Sequence, residues 1–154
     1  MKMQIIPDIV TKQLVVTLET TAWVHEAVQA MSSQSVAAIC IVDTDQQLIG
    51  ILSERDLTHR VLACGLSPQT TRVADVMSKN PDVLHAEDGA LDAIELMLGR
   101  NIRHLPVVDE DHKVLAMVSI RDLLKGSLRA LDVEICLDAE TAFSPTTAYP
   151  LASN

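Results

Sequence analysis

The sequence contains two copies of one repeated unit. Aligned with itself, the chain matches at a single offset of 66 residues, without gaps, over most of two segments. At this offset Ser53-Glu54-Arg55-Asp56-Leu57 falls on Ser119-Ile120-Arg121-Asp122-Leu123, and Ile41-Val42-Asp43 falls on Val107-Val108-Asp109. The fold must therefore be one that two copies of a short unit can build together.

Hydrophobic periodicity changes in the same order within each copy. An extended run, 14–18 or 83–84, is followed by a polar turn and an amphipathic helix. Two apolar runs separated by a tight polar turn predict a hairpin, and a second helix follows Ser-x-x-Asp-Leu. Each copy is predicted as β-α-β-β-α, with hairpin strands at 38–42 and 48–52, then 105–108 and 114–118, and second helices near 54–64 and 120–131.

The first helix of the second copy has an apolar face at helical spacing. Asp92, Glu95 and Arg100 are predicted to point away from that face. The residues predicted to be buried on it are Ala90, Leu91, Ala93, Ile94, Met97 and Leu98.

Neither copy is expected to be stable alone, because three strands and two helices in about 55 residues bury too little surface. The prediction is an α+β fold in which the two repeats pack sheet to sheet with pseudo-two-fold symmetry. The first repeat is placed at 8–64, a linker at 65–73 and the second repeat at 74–131. A C-terminal tail at 132–154, which carries Pro145 and Pro150 among small polar residues, is predicted to be poorly ordered.

Composition excludes several classes of function. A net charge of -9, with one Trp, one Tyr and one Phe, argues against a nucleic-acid partner. No apolar run approaches the roughly 18 residues of a membrane span and no secretory segment is apparent, so a cytoplasmic protein is expected. Cys40, Cys64 and Cys136 lie too far apart to indicate a zinc site or a disulfide framework. Motifs for phosphate loops, nucleophilic catalysis and zinc hydrolysis are missing, which argues against an enzyme.

Two Ser-x-x-Asp segments are the strongest candidates for a binding site. Ser53 and Ser119 each stand where a strand ends and a helix begins, where free N–H groups and the helix dipole attract anions. Asp56 and Asp122 follow three residues later, and a carboxylate there can accept both hydrogens of a vicinal diol such as ribose. The alternative is that Ser-x-x-Asp only caps the helix. Arg55 and Arg121, which precede the aspartates, are either anion ligands or solvated charges.

A basic segment enters the hairpin of the second copy. Arg103 and His104 precede Leu105 and Pro106, and the proline suggests an edge that lacks an N–H and leaves room for a ligand. The basic pair is then suited to neutralise phosphate, unless it is a solvated turn. The other histidines lack metal-ligand spacing and are expected at the surface: His25, His59, His85 and His112.

These residues resemble the CBS-domain pair, or Bateman module, over roughly residues 8–131. The second copy fits closely through Asn80-Pro81, Ala93, Met97, the run Arg103–Asp109 and the run Ser119–Leu123. The resemblance implies a regulatory module that binds AMP, ADP, ATP, S-adenosylmethionine or NAD in clefts between two sheets, with no obligatory cofactor. It also implies a homodimer and a separate effector protein.

The resemblance assigns roles to particular positions. Asp56 and Asp122 are expected to bind ribose hydroxyls, and Ser53 and Ser119 to lie at ribose or phosphate. The adenine is expected between strand residues, which are Val83, Leu84 and Leu105 in the second site and Thr17, Leu18 and Ile39 in the first. The candidates for phosphate are Arg55, Arg103, His104 and Arg121.

The first copy departs from the family pattern, since Ala37-Ala38-Ile39-Cys40 replaces Arg103-His104-Leu105-Pro106. The site around Asp122 is therefore predicted to bind phosphate-bearing ligands more tightly than the site around Asp56. Ala116 stands at the equivalent of Gly50, so the second cleft is expected to be tighter at its floor. The competing hypothesis is a structural dimerisation module with degenerate clefts.

Overall fold

Helices and strands follow one another in the same order in both halves of the chain. The computed structural model describes residues 3–130, so the predicted tail at 132–154 lies outside the described residues. The helices are α1 (Val24–Gln34), α2 (Glu54–Asp56), α3 (Val73–Val76), α4 (Ala90–Arg100) and α5 (Ile120–Ala130). The strands are β1 (Thr17–Glu19), β2 (Ala38–Val42), β3 (Leu48–Ser53), β4 (Ser78–Lys79), β5 (His104–Val108) and β6 (Val114–Ser119). In this part of the chain no helix is long and apolar enough to cross a membrane.

Each half contains the predicted hairpin. β2 pairs antiparallel with β3, and β5 pairs antiparallel with β6. The extended run before each hairpin is shorter than predicted: β1 pairs parallel with β2, whereas the second run is reduced to one parallel bridge, Leu84 to Val107. The helix after the first hairpin begins as α2 and continues in wider turns over Leu57–Leu62. The α+β fold of two repeats is thus confirmed.

The two sheets meet around a pseudo-two-fold axis. Gln47 and Lys113, which are equivalent at the 66-residue offset, form a bridge with each other, and the amide of Leu48 donates to the carbonyl of His112 at 3.0 Å. Cys40, Leu48 and Val108 form a buried cluster between the sheets. The repeats therefore pack through side chains of both hairpins, as predicted.

The segment that precedes each repeat packs on the other repeat. Val73 and Val76 of α3, with Met77 after it, belong to the core of the first repeat together with Leu52. Ile5, in a helical turn over residues 5–9, belongs to the core of the second repeat. Backbone hydrogen bonds fix both crossings: the amide of Val73 donates to Ala22 and that of Ile5 donates to Asp88, each at 3.0 Å. Each core is thus completed by a segment from the other side of the repeat boundary.

The crossing segments explain a glycine in each repeat. A Cβ on Gly50 would lie 2.3 Å from the sulfur of Met77, and a Cβ on Gly126 would lie 2.4 Å from Cδ1 of Ile9. Gly50 therefore makes room for a protein side chain. Ala116, which is the counterpart of Gly50 in the second repeat, carries a Cβ and is completely buried.

The predicted inner face of α4 is only partly correct. Ala90, Ala93 and Met97 are buried, but Leu91 and Leu98 are 72% and 71% exposed. Helical spacing alone did not distinguish the exposed leucines from the buried residues. The reason is that α4 has a second apolar stripe, which begins one position later and faces outward. These two leucines form the exposed apolar face of α4.

Candidate functional site

A cleft of about 910 Å³ opens between the two repeats. One wall comes from the first repeat, at the end of β3, in α2 and in the turns after it. The rest of the lining comes from β4, which pairs antiparallel with β3, from the residues after β4, and from the second repeat where α4 leads into β5. The cleft is lined by residues 37, 51, 53–56, 58–60, 78–82 and 100–104.

Ser53 and Asp56 form a complete capping box at the start of α2. Oδ2 of Asp56 accepts from the Ser53 amide at 2.9 Å and from its hydroxyl at 2.8 Å, while the Ser53 oxygen accepts from the Asp56 amide at 3.3 Å. Ser119 and Asp122 repeat the arrangement at 2.9, 2.6 and 3.2 Å. Both segments therefore cap helices, and in each aspartate these bonds use only one carboxylate oxygen.

The second oxygen of Asp56 faces a guanidinium. Arg60 Nη2 lies 3.4 Å from Oδ1 of Asp56, and Arg60 Nη1 donates to the carbonyl of Val76 at 2.9 Å. The position equivalent to Arg60 in the second repeat is Gly126. The pair between Asp56 and Arg60 therefore has no counterpart at the equivalent position of the second repeat.

Arg55 crosses the cleft. Its Nη1 donates to the carbonyl of Asn101 at 2.8 Å, and Asn101, with φ near 53°, is the left-handed residue that ends α4. This hydrogen bond joins α2 of the first repeat to the C-terminal end of a helix in the second.

The cleft is locally positive in an acidic protein. Its lining includes five Lys and Arg side chains and three Asp and Glu side chains, whereas the whole chain carries a net charge of -9. Arg100 is paired with Asp82 at 3.2 Å. Because the walls lower the local dielectric and focus the field, this excess of cations attracts anions to the cleft.

His104 stands between the two capped helices. Burial lowers the pKa of His104, and the positive charge of Arg103 lowers it further, while the carboxylates of Asp122 and Glu54 act in the opposite direction. Since its pKa lies below the usual 6.5, the side chain is neutral near pH 7. It can then donate from one ring nitrogen and accept at the other.

The structure brings together five of the predicted site residues. Ser53, Arg55, Asp56, Arg103 and His104 all line the cleft. Three others, Ser119, Arg121 and Asp122, lie at the end of β6 and the start of α5. The strand residues Thr17, Leu18, Ile39, Val83, Leu84, Leu105 and Pro106 are buried or half-buried and are not among the lining residues.

Arg103 and His104 lie close to both capped segments. They line the cleft together with Asp56, while His104 also pairs with Ser119 across the hairpin and interacts with the carboxylate of Asp122. The predicted order of phosphate affinity counted both residues for Asp122 alone, whereas they are close to both capped segments.

Pro106 is not at an open strand edge. It lies in the middle of β5, with β6 on one side and Leu84 on the other, and its carbonyl accepts from the Leu84 amide at 2.9 Å. Since N and O of one residue point to the same side of a strand, the missing donor faces the Leu84 side and costs the hairpin no hydrogen bond.

Sequence reasoning missed several cleft residues. Arg60, Lys79 and Asp82 line the cleft but were not proposed, and neither was His59, which is exposed as expected. They lie outside the repeated motifs, and the two walls are far apart along the chain. Only the crossing of the preceding segments reveals that 78–82 faces α2.

Metal chemistry finds no support among residues 3–130, where no group of three or more His, Cys, Asp or Glu is placed to hold an ion. Burial raises the pKa of the Cys40 thiol to about 12, so this cysteine is a small core residue. Cys64 is exposed.

Comparison with known families gives a match in both halves of the chain. A family model described as CBS domain matches residues 6–63 and again residues 73–129. The Arabidopsis thaliana CBS domain-containing protein CBSCBSPB1 is 34% identical over 116 residues, which are 75% of this chain and 21% of that protein. The chain spans about a fifth of the length of the first curated relatives it matches.

Solved structures share the fold. The CBS-domain containing protein ATU1752 from Agrobacterium tumefaciens is 28% identical, with a TM-score of 0.69 over 75% of this chain and 85% of that one. The CBS domain pair of protein MJ0100, solved in complex with 5-methylthioadenosine and S-adenosyl-L-methionine, gives a TM-score of 0.71 at 21% identity, over 81% and 95%.

Proposed function

Because the chain belongs to the CBS-domain family, we propose that it is a regulatory module that binds an adenosine-containing nucleotide between its repeats. Its proposed role is to signal occupancy to a separate effector protein, without catalysing a reaction. A cytoplasmic location and a homodimeric state belong to the same proposal. The observation that carries it is the cleft in which a capped aspartate faces a basic wall.

The proposed site divides the ligand between the two walls. Oδ1 of Asp56 is the acceptor for ribose hydroxyls, because Oδ2 is used by the cap. Arg103 of the second repeat and Lys79 of β4, with Arg55, are the cations for phosphate. His104, neutral near pH 7, is a hydrogen-bond partner at the same end. In this proposal one ligand touches both repeats.

The second aspartate is proposed as a weaker site for phosphate. At the 66-residue offset Arg103 and His104 correspond to Ala37 and Ala38, and Arg60 corresponds to Gly126. The second site still has Ser119 and Asp122 as groups for ribose, and it has Arg121 as one cation. The order of affinities proposed for phosphate ligands is therefore Asp56 over Asp122.

AMP, ADP and ATP are favoured over S-adenosylmethionine at Asp56. The structure of protein MJ0100 is a complex with two adenosine compounds, which supports an adenosine ligand for a module of this fold. A sulfonium ion is repelled by the excess of cations in the cleft, whereas phosphate is attracted. NAD also carries phosphates and is a further candidate.

A structural dimerisation module is the second candidate function. The observation that favours it is the completeness of both capping boxes, which alone accounts for Ser-x-x-Asp. In that case the aspartates serve stability only.

The two functions are separated by calorimetry with AMP and ATP on Asp56→Asn and on its matched control, Asp122→Asn. Asparagine keeps one acceptor for the cap and loses the charge. We expect Asp56→Asn to weaken AMP binding at least about tenfold, because it removes one charged hydrogen bond. Asp122→Asn should weaken AMP binding less. Urea unfolding of both variants verifies that they are folded.

A folded wild-type chain that binds none of the nucleotides would establish the dimerisation module instead. Equal losses in the two variants would show that Asp56 has no special part in binding.

A further inference from the structure

We propose that Arg55 determines specificity for phosphorylated ligands and couples their binding to the contact between the repeats. The inference rests on the proposed nucleotide function and concerns the same cleft. We call Arg55 the strap: its guanidinium binds the carbonyl of Asn101, the residue that follows α4, and moves to a phosphate group when the ligand binds.

The strap joins the two walls at a defined point. Arg55 is the second residue of α2, and its Nη1 donates to the carbonyl of Asn101 at 2.8 Å. Asn101 is in the left-handed conformation at the end of α4, where helix carbonyls have no partner within the helix. Both residues line the cleft. A phosphate near Asn101 is therefore within reach of the same guanidinium.

Two other arginines of the cleft are paired with carboxylates. Arg60 is 3.4 Å from the carboxylate of Asp56, and Arg100 is 3.2 Å from the carboxylate of Asp82. Arg55 is held by a neutral carbonyl. Since a guanidinium prefers an anionic acceptor and binds phosphate through two N–H groups, Arg55 exchanges its partner for phosphate more readily than Arg60 or Arg100 does.

The exchange changes the contact between the repeats. When Arg55 moves to phosphate, the carbonyl of Asn101 loses a donor from the first repeat, and the end of α4 is released from α2. The residues that follow, Ile102 to His104, form part of the cleft wall and lead into β5. A nucleoside without phosphate leaves the strap closed, so the strap distinguishes ligands by charge.

The binding test compares AMP with adenosine on the wild type and on Arg55→Gln, with Arg129→Gln, an exposed arginine of α5 outside the cleft lining, as the matched control. We expect Arg55→Gln to reduce the preference for AMP over adenosine at least fivefold while adenosine binds as before. Arg129→Gln keeps the wild-type preference. A preference retained within twofold in Arg55→Gln overturns the inference.

The structural test follows the carbonyl carbon of Asn101 by NMR, since its chemical shift depends on the hydrogen bond it accepts. We expect AMP and inorganic pyrophosphate to move this resonance in the wild type toward its position in ligand-free Arg55→Gln, and adenosine to leave it in place. A resonance that AMP and pyrophosphate do not move rules the strap out.

The two proposals fail separately. If pyrophosphate moves the Asn101 resonance through Arg55 but neither AMP nor adenosine binds, the strap stands and the nucleotide function falls. If AMP binds with Asp56 dependence but without the Arg55 effects, the nucleotide function stands and the strap falls.

Discussion

His104 is a single side chain on which both repeats act. It begins β5, pairs across the hairpin with Ser119, and is influenced by Glu54 of the first repeat and Asp122 of the second. Burial and Arg103 outweigh these two carboxylates, so its pKa is lowered in the folded protein. Its protonation is therefore linked to stability.

Replacing His104 by Gln should flatten the dependence of stability on pH. The unfolded chain binds a proton at this residue near pH 6.5, whereas the folded chain resists it. Below about pH 6.5 protonation therefore favours unfolding, and the free energy of unfolding contributed by His104 falls as the pH decreases toward its lowered pKa. Urea unfolding at about pH 7.5 and about pH 5 should show a larger loss in the wild type than in His104→Gln.

An equal loss in both proteins would contradict the environment described for His104. The slopes of the urea transitions check that the substitution leaves the unfolding cooperative and two-state.

Local chemistry at the residue scale was predictable. Ser-x-x-Asp at a strand end specifies a capping box from four consecutive residues, and both boxes are present. The neighbours of Asp56 across the cleft were not predictable in the same way, because Arg103 lies 47 residues away in the chain. Its partner is set by the packing of the repeats, which no local pattern encodes.

β3 and β6 are equivalent elements that receive different neighbours. Gly50 of β3 is opposed by Met77 from the crossing segment and by Lys79 of β4, while Ala116 of β6 is buried with its methyl group accommodated. The 66-residue offset predicts both hairpins correctly but not this difference. Likewise the period of α4 predicted a helix without showing that Leu91 and Leu98 face outward.

Gly50→Ala should destabilise the protein by about 1–3 kcal/mol, because the new Cβ would lie 2.3 Å from the Met77 sulfur. Met77→Ala in the same chain should recover part of that loss, since it removes the obstructing side chain. A double-mutant cycle by urea unfolding measures the coupling. Strict additivity of the two substitutions would show that Met77 is not the obstacle.

The equivalent helices α1 and α4 differ in how apolar their exposed faces are. Leu91 and Leu98 on α4 are exposed, while the residues at the same places on α1 are His25 and Ser32. Two exposed leucines about two turns apart on one helix are suited to a second copy of the chain, in line with the proposed homodimer. The repeat order and the sheet packing of the molecule followed from its sequence, whereas this outer face depended on side-chain orientation.

Leu98→Glu should convert the proposed dimer to a monomer, since it places a charge at the centre of the exposed face of α4. Sedimentation equilibrium at tens of micromolar protein should then give the mass of one 16.8 kDa chain instead of two. Gln69→Glu in the linker adds the same charge elsewhere and should leave the dimer intact. A dimer that persists in Leu98→Glu would place the contact on another surface.

The crossed segments also impose an order on folding during synthesis. The first repeat cannot close its core until Met77 has left the ribosome, so its hairpin and α1 must wait for residues that belong to the next repeat. Within residues 3–130, Ile5 is translated early and is buried late, because its partners Met97 and Leu123 are translated long after it. Among residues 3–130, the segment around Ile5 is therefore the part that stays exposed to chaperones and proteases for longest while the chain is being made.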